Sequence, residues 1–220
     1  MRFAVLVYEG VEPIDLSTYG VLSMARRIAP QISIFLVAPE RGTVELTNGL
    51  SVIAKYGIAD CPDADVLIIC GGSGWPAQAG SERMLAFVRR FAERGAVTAV
   101  CTGSMILVAT GLLDGCKATT KRQVAFGENS PLLLMRERYP NVEVVEARLV
   151  DEGRLMTAGG VTLGIDATLY LLRRFLGENV AQETARIMEY SHAWTANKAA
   201  YQEFIDTKQP DASVFAQTKT

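Results

Sequence analysis

Residues 96–111 read AVTAVCTGSMILVATG, and the prediction for the whole chain starts from this stretch. The short apolar segment at residues 96–100 is typical of a strand that is buried on both faces. The small and apolar residues at 103–111 predict a helix that begins almost directly after it. Cys101 therefore falls at the predicted junction between a buried strand and a helix.

The same alternation of strands and helices continues on both sides of this stretch. Before it, strands are predicted at residues 3–8, 32–38 and 66–70, helices after Pro13 and Ser81, and a hairpin at the Asn48-Gly49 pair. After it, strands are predicted near 117–119 and 142–145, a helix at about 123–138, a hairpin around residues 151–153 and a long helix after Gly159-Gly160. This order predicts an α/β fold with a mostly parallel central sheet and helices on both faces.

Composition narrows the function classes. The chain has 220 residues, 22 Lys plus Arg against 24 Asp plus Glu, and a formal net charge of −2, so we expect no binding to nucleic acid or to a membrane surface. Its apolar runs are too short for a membrane helix or a signal peptide, which predicts a cytoplasmic protein. We expect one domain over residues 1–205, followed by a polar tail at 206–220.

Four cysteines and a single histidine, His192, make a Cys/His zinc site unfavourable, and we expect no metal and no cofactor. Cys101 is the candidate for chemistry. At the N-terminus of a helix, unpaired amides and the helix dipole favour a thiolate, which is a strong nucleophile. The alternative interpretation is a small buried core cysteine.

Two further loops are expected at the same edge of the sheet, where parallel strands end and ligands bind. The glycine loop Gly71-Gly72-Ser73-Gly74 is interpreted as a set of amides that face a developing negative charge, or alternatively as a tight turn without a ligand. Asp15, after the first strand, is interpreted as a proton-exchanging group or as a solvated carboxylate at the start of a helix.

At these residues the chain resembles the ThiJ/PfpI superfamily, and within it the isonitrile hydratase-like branch. The matching segments are Ile14-Asp15-Leu16, residues 69–74 with the glycine loop, Val100-Cys101-Thr102-Gly103-Ser104, Ala118-Thr119-Thr120 and residues 159–166. The resemblance implies a flavodoxin-like three-layer sandwich, like that of the class I glutamine amidotransferases, and a homodimer.

The resemblance also implies a reaction and a set of site residues. Isonitrile hydratases add water to an isonitrile and release an N-substituted formamide. By position, Cys101 becomes the nucleophile, with Asp15 and Thr102 as its polar partners. The implied substrate- or oxyanion-binding positions are Gly71, Gly72, Ser73, Gly160, Val161 and Thr162.

One departure from the family pattern limits the chemistry. Many relatives carry a histidine where this chain has Lys121, so a Cys-His dyad is absent, which argues against peptidase or amidase activity. If Lys121 points inward, its charge lowers the pKa of the thiol. The expected function is a cofactor-free, cysteine-dependent isonitrile hydratase. The alternative is a non-enzymatic protein that binds a small molecule or responds to redox conditions.

Overall fold

The structure is a computed structural model, and it describes residues 1–206. The strands are β1 (Arg2–Leu6), β2 (Ser33–Ala38), β3 (Gly42–Glu45), β4 (Ser51–Ala54), β5 (Tyr56–Gly57), β6 (Val66–Ile69), β7 (Ala96–Ala99), β8 (Lys117–Ala118), β9 (Glu143–Val144), β10 (Leu149–Asp151), β11 (Leu155–Ala158) and β12 (Glu203–Ile205). The helices are α1 (Ser17–Ala25), α2 (Trp75–Ala79), α3 (Glu82–Ala92), α4 (Gly103–Ala109), α5 (Pro131–Arg138), α6 (Leu163–Leu176), α7 (Glu178–Ile187) and α8 (Ser191–Ala200).

Eight strands form the central sheet, in the order β12-β10-β11-β7-β6-β1-β2-β5. All neighbours run parallel except β10 and β11, the predicted hairpin, which pair antiparallel. The strands β6 and β7 are buried along their whole length, because helices cover the sheet on both faces. The helices α1, α6 and α7 pack together in one layer, and α2, α3 and α4 in the other. The predicted α/β class with a mostly parallel sheet is confirmed.

The helix predicted at about 123–138 is partly wrong, because α5 begins only at Pro131. Proline lacks a backbone N–H and disfavours helical geometry at the residue before it. Ser130 accordingly adopts an extended conformation, with φ −61° and ψ 121°. Residues 121–130 therefore form an irregular, largely exposed loop.

The edge of the sheet at β12 is tied down by a buried ion-pair cluster. Arg148 is almost fully buried, and its guanidinium donates to Asp166 Oδ1 at 3.2 Å and to Glu203 in β12. Tyr190 and Asn197 donate to the other oxygen of Asp166 at 2.8 and 2.9 Å. This cluster fixes the last strand and α8 against the sheet.

Strands drawn from residues 2–205 join this one sheet, and we propose on that basis that residues 1–205 form one domain. The predicted tail lies, from residue 207 onward, outside the described residues. Within residues 1–206, no helix combines the length and the hydropathy needed to cross a lipid bilayer.

Candidate active site

Four neighbouring parallel strands, β11, β7, β6 and β1, end at one edge of the sheet. Ligands of such folds bind beyond the carboxyl ends of the strands. The segments that follow these strands carry all the site residues expected from the sequence: Asp15 after β1, Gly71, Gly72 and Ser73 after β6, Cys101 and Thr102 after β7, and Gly160, Val161 and Thr162 after β11.

Cys101 occupies a sharp turn between β7 and α4. Its φ is 53°, in the left-handed region that residues other than glycine rarely adopt. Both of its peptide groups are held in place. The Cys101 N–H donates to the Gly159 carbonyl at 3.1 Å, and the Thr120 hydroxyl donates to the Cys101 carbonyl at 2.7 Å. A Cβ at Gly103 would lie 2.3 Å from the Ile69 carbonyl oxygen, so the turn requires glycine there. Such over-determined strain is typical of functional sites.

The thiol of Cys101 is protonated in the resting protein. The side chain is only 3% exposed, and burial, followed by the nearby charge of Asp15, raises its pKa to about 12. The backbone N–H groups of Val161 and Thr102 and the charge of Lys121 act in the opposite direction. The expectation that the start of the helix favours a thiolate at Cys101 is therefore wrong, because desolvation outweighs the amides at the start of α4.

Asp15 is a buried carboxyl next to this sulfur. It is fully buried, and its Oδ2 accepts from the Gly71 N–H at 2.7 Å. Its Oδ1 has no hydrogen-bond partner among the described residues. Burial raises the pKa of Asp15 to about 7, against the smaller lowering effects of the Gly71 amide and the Cys101 thiol. A carboxyl with a pKa near neutrality can both accept and donate a proton at physiological pH.

The glycine loop acts on Asp15 and Thr102 rather than on the sulfur. The Gly71 amide is bound to Asp15, and the Gly72 amide donates to Thr102 Oγ1 at 2.8 Å. The Thr102 hydroxyl donates in return to the Gly72 carbonyl at 3.2 Å. Ser73 is exposed, and its hydroxyl reaches only the Gly10 carbonyl, at 3.4 Å. The amides that face the sulfur are instead those of Val161 and Thr102.

Val161 carries a strain that the sequence does not signal. Its φ is 59°, and a β-branched residue in the left-handed region is an outlier. This geometry aims the Val161 N–H at the Cys101 sulfur. The turn after β11 and the turn after β7 thus meet at the Cys101 sulfur, and each turn contains a residue with a positive φ, Val161 and Cys101.

The Cys101 sulfur is the one that faces the Asp15 carboxyl, and the remaining cysteines and the histidine are placed differently. Cys70 is buried in the core at the end of β6, whereas Cys61 and Cys116 are half-buried. His192 is exposed on α8. Within residues 1–206, no group of three or more His, Cys, Asp or Glu side chains is arranged to hold a metal ion.

A model of the DJ-1/PfpI family matches residues 1–174. The chain belongs to the DJ-1/PfpI family. The match contains every site residue described above, and the resemblance inferred from the motifs is confirmed.

Individual members of the DJ-1/PfpI family resemble the chain over most of its length. An isonitrile hydratase from Pseudomonas putida is 33% identical over 195 residues, which are 88% of this chain and 80% of that protein. The crystal structure of a ThiJ/PfpI family protein from Pseudomonas syringae is 28% identical, with a TM-score of 0.73 over 89% of this chain and 83% of that one. Drosophila melanogaster DJ-1beta, at 19% identity, shares the fold with a TM-score of 0.72, over 86% of this chain and 97% of its own.

Proposed function

We propose that this protein is a cysteine-dependent hydratase that adds water to an isonitrile and releases an N-substituted formamide. One observation carries the proposal: a buried carboxyl, Asp15, has an unpartnered oxygen and a pKa of about 7 beside a protonated thiol, Cys101, at a strained turn. The isonitrile hydratase from Pseudomonas putida, at 33% identity, supports the choice of reaction.

The terminal carbon of an isonitrile suits this pair because it must gain both a proton and a nucleophile. Asp15, as carboxylate, takes the proton from the Cys101 thiol and transfers it to that carbon. The sulfur lone pair forms the S–C bond at the same carbon. The product is a thioimidate, R–N=CH–S–Cys101, and Asp15 is a carboxylate again. The amides of Val161 and Thr102 stabilise the negative charge that develops on the sulfur.

Water then completes the reaction with the same groups. Asp15 takes a proton from water as the water oxygen bonds to the thioimidate carbon, and it passes that proton to the nitrogen. The resulting R–NH–CH(OH)–S–Cys101 expels the sulfur, and the hydroxyl proton returns to it through Asp15. The C–S bond breaks, the formamide R–NH–CHO leaves, and the thiol is restored. The sum is one isonitrile plus one water.

The other predicted residues support this pair. Gly71 holds the Asp15 carboxyl in place by its amide. Thr102 acts as a positioning residue, because its hydroxyl accepts from the Gly72 N–H and donates to the Gly72 carbonyl. Gly160 and Thr162 line a cavity beside the cysteine and are proposed to contact substrate. Ser73 has no contact with the pair, and a role for it remains only a prediction from the resemblance.

The test is incubation of the purified protein with simple alkyl isonitriles in ¹⁸O-labelled water. We expect a formamide that carries the label, and a mass increase of one substrate on the Cys101 peptide after rapid acid quenching. The Cys101→Ala variant forms neither. Absence of labelled formamide, or its formation at an unchanged rate by Cys101→Ala, overturns the proposal. The homodimer expected from the resemblance stays a prediction, which light scattering of the same preparation tests.

A further inference from the structure

A cavity of about 250 Å³ lies beside the turn of Cys101, although Cys101 itself is not part of its lining. Five segments enclose it: the chain after β8, the start of α5, the chain after β9, the turn after β11 and the end of α8. Its lining residues are Thr119, Thr120, Lys121, Arg122, Gln123, Leu132, Glu146, Ala147, residues 159–163, Asn197 and Tyr201. Because small-molecule sites usually measure about 300–1,000 Å³, this cavity fits only a small group.

The cavity and the reacting pair share one wall. Thr120 lines the cavity, and its hydroxyl also donates to the Cys101 carbonyl. Val161 lines the cavity as well, and its N–H faces the Cys101 sulfur. A substituent bound in the cavity would therefore lie next to the turn that carries the sulfur.

The cavity contains one positive charge that has no ion-pair partner among residues 1–206. Arg122 is neutralised by Glu146, with Nη1 and Oε2 2.6 Å apart. Lys121 is half-buried, and no carboxylate of residues 1–206 lies within ion-pair distance of its ammonium group. A half-buried ammonium in a partly enclosed cavity favours an anionic ligand.

The stem of Lys121 packs closely against Gly160, and a side chain at residue 160 would leave no room for it. A Cβ on Gly160 would lie 2.6 Å from Lys121 Cγ and 2.8 Å from Lys121 Cβ. The carbonyl of Lys121 accepts from the Leu132 N–H at 3.2 Å, which anchors its backbone to α5. The backbone and the stem of this residue are thus placed by the fold.

We propose that this cavity binds the non-reacting end of the substrate, that this end carries a carboxylate, and that Lys121 binds it. The inference rests on the proposed hydration and names its substrate class, an isonitrile with a short carboxylate-bearing substituent. A single cation suits a monoanion, whereas a phosphate dianion meets too little positive charge. The hydroxyl groups of Thr162 and Tyr201 offer further donors to a carboxylate.

The wall at α8 lies outside the part of the chain that the family model matches. Asn197 and Tyr201 follow residue 174, where that match ends. Asn197 is fixed by its bonds to Asp166 Oδ2 and to the Tyr190 hydroxyl. The pocket for the substituent is therefore completed by a segment outside the family match, which is where selectivity among substrates can differ between members.

The kinetic test compares isocyanoacetate with its methyl ester, two substrates that differ by one charge. We expect the wild type to prefer the acid in kcat/KM by about tenfold or more, the factor that a charge-assisted hydrogen bond supplies. Lys121→Gln loses this preference mainly through KM, and Lys121→Arg keeps most of it. The ratio of the two substrates cancels any effect of Lys121 on the pKa values of Cys101 and Asp15. Lys55→Gln, which changes an exposed lysine between β4 and β5, is the matched control and keeps the wild-type ratio.

A binding measurement separates failure of this inference from failure of the proposed function. N-formylglycine is the product expected from isocyanoacetate, and calorimetry of its binding requires no turnover. We expect it to bind at least about tenfold more tightly than its methyl ester to the wild type, and equally weakly to Lys121→Gln. This result with no hydration of any isonitrile overturns only the proposed function. If the protein hydrates isonitriles but the acid and the ester have equal kcat/KM values and their products bind equally well, only the carboxylate site is overturned.

Discussion

Cys70 and Cys101 stand at the carboxyl ends of neighbouring strands, and they make an instructive pair. In the register of β6 and β7, Ile69 lies opposite Ala99, so the two cysteines follow within two residues of paired positions. Both are buried, and burial is the first cause that raises the pKa of each thiol. Both also lie near Asp15. Burial, acidity and the nearest carboxyl therefore do not distinguish them.

The backbone distinguishes them. Cys101 has a φ of 53°, whereas Cys70 has no such positive φ. The Cys70 sulfur consequently packs under α1, 3.9 Å from Thr18 Oγ1 and 3.7 Å from the Asp15 backbone carbonyl. The Cys101 sulfur faces the Asp15 carboxyl and the amides of two turns. A strained turn, rather than an unusual thiol environment, selects the candidate nucleophile in this protein.

The sharpest test of this contrast is to remove each sulfur in turn. We expect Cys101→Ala to lower kcat/KM for isonitrile hydration by about 10³-fold or more, because loss of the nucleophile removes the covalent route. We expect Cys70→Ala to change it by less than about threefold and to lower the free energy of unfolding by about 1 kcal/mol, since it leaves a small cavity. Steady-state kinetics and urea unfolding of both variants provide the measurement. Equal losses of activity would contradict the contrast.

The second test removes the charge of Asp15. The backbone carbonyl of Asp15 lies near Cys70, whereas its carboxyl faces Cys101. We expect Asp15→Asn to lower kcat/KM by about 10²–10⁴-fold, the usual range for loss of a positioned proton carrier. The same change removes the charge that raises the pKa of Cys101, so alkylation of Cys101 at pH 8 becomes faster while turnover becomes slower. Peptide mapping after iodoacetamide treatment measures this opposition.

Glu12→Gln is the matched control for Asp15→Asn. Glu12 is a nearby carboxylate that raises the pKa of Asp15 slightly and accepts no proton from the thiol in the proposed reaction. We expect kcat/KM within about threefold of wild type, because the proton-carrying pair is intact. If Glu12→Gln lost as much activity as Asp15→Asn, general electrostatics rather than proton transfer would explain both.

The third test is the dependence of activity on pH. The reactive form of the pair carries one proton, and with Asp15 near pKa 7 and Cys101 near 12 this form predominates between those values. We expect kcat/KM to rise about tenfold per pH unit up to about pH 7 and then to level off. A profile that rises only above pH 8 would point to a free thiolate as the reactive species.

Asp15 also predicts how stability changes with pH. Its folded pKa, about 7, lies above its ordinary value of 3.8. The stabilisation from its extra proton is complete below pH 3.8 and is lost as the pH rises through 7. We expect the free energy of unfolding of Asp15→Asn, relative to wild type, to increase between pH 4 and 8 by up to about 1.4 kcal/mol per pH unit.

The last test concerns Gly71, the glycine between the two cysteine environments, and measures stability rather than activity. A Cβ on Gly71 would lie 2.5 Å from the Thr102 nitrogen and 2.8 Å from Cys101 Cβ. We expect Gly71→Ala to lower the free energy of unfolding by about 1–3 kcal/mol, because the turn must move. Gly20→Ala, in α1 with no atom within 4 Å of the new Cβ, should raise it by about 0.5–1 kcal/mol. Urea denaturation of the two alanine variants decides this.

The sequence alone predicts the general plan well, because short buried strands and strand-end glycines have clear local signals. It places Cys101, Asp15 and Gly71 in segments that the fold brings together. It does not predict the start of α5, where Pro131 overrides an otherwise helical composition. It also misses the positive φ of Val161, since valine is a residue type that ordinarily avoids that region.

The charge states are the other part that the sequence does not predict. A cysteine at the start of a helix suggests an ionised thiol, but ionisation depends on how many neighbours exclude water. Part of that exclusion comes from the turn after β11, whose Val161 N–H faces the sulfur and which is distant along the chain. The same holds for the glycine amides, because which acceptor they meet depends on the side chains of Asp15 and Thr102.

The protonated, buried state of Cys101 affects how readily this thiol is oxidised. The thiolates of exposed cysteines attack peroxides and disulfides, whereas a thiol that is 3% exposed with a pKa of about 12 has neither access to these oxidants nor the negative charge that makes it a nucleophile. In the proposed reaction, the sulfur becomes reactive only when substrate is bound and Asp15 takes its proton. We therefore expect Cys101 to remain a free thiol after peroxide exposures that convert surface thiols to sulfenic and sulfinic acids.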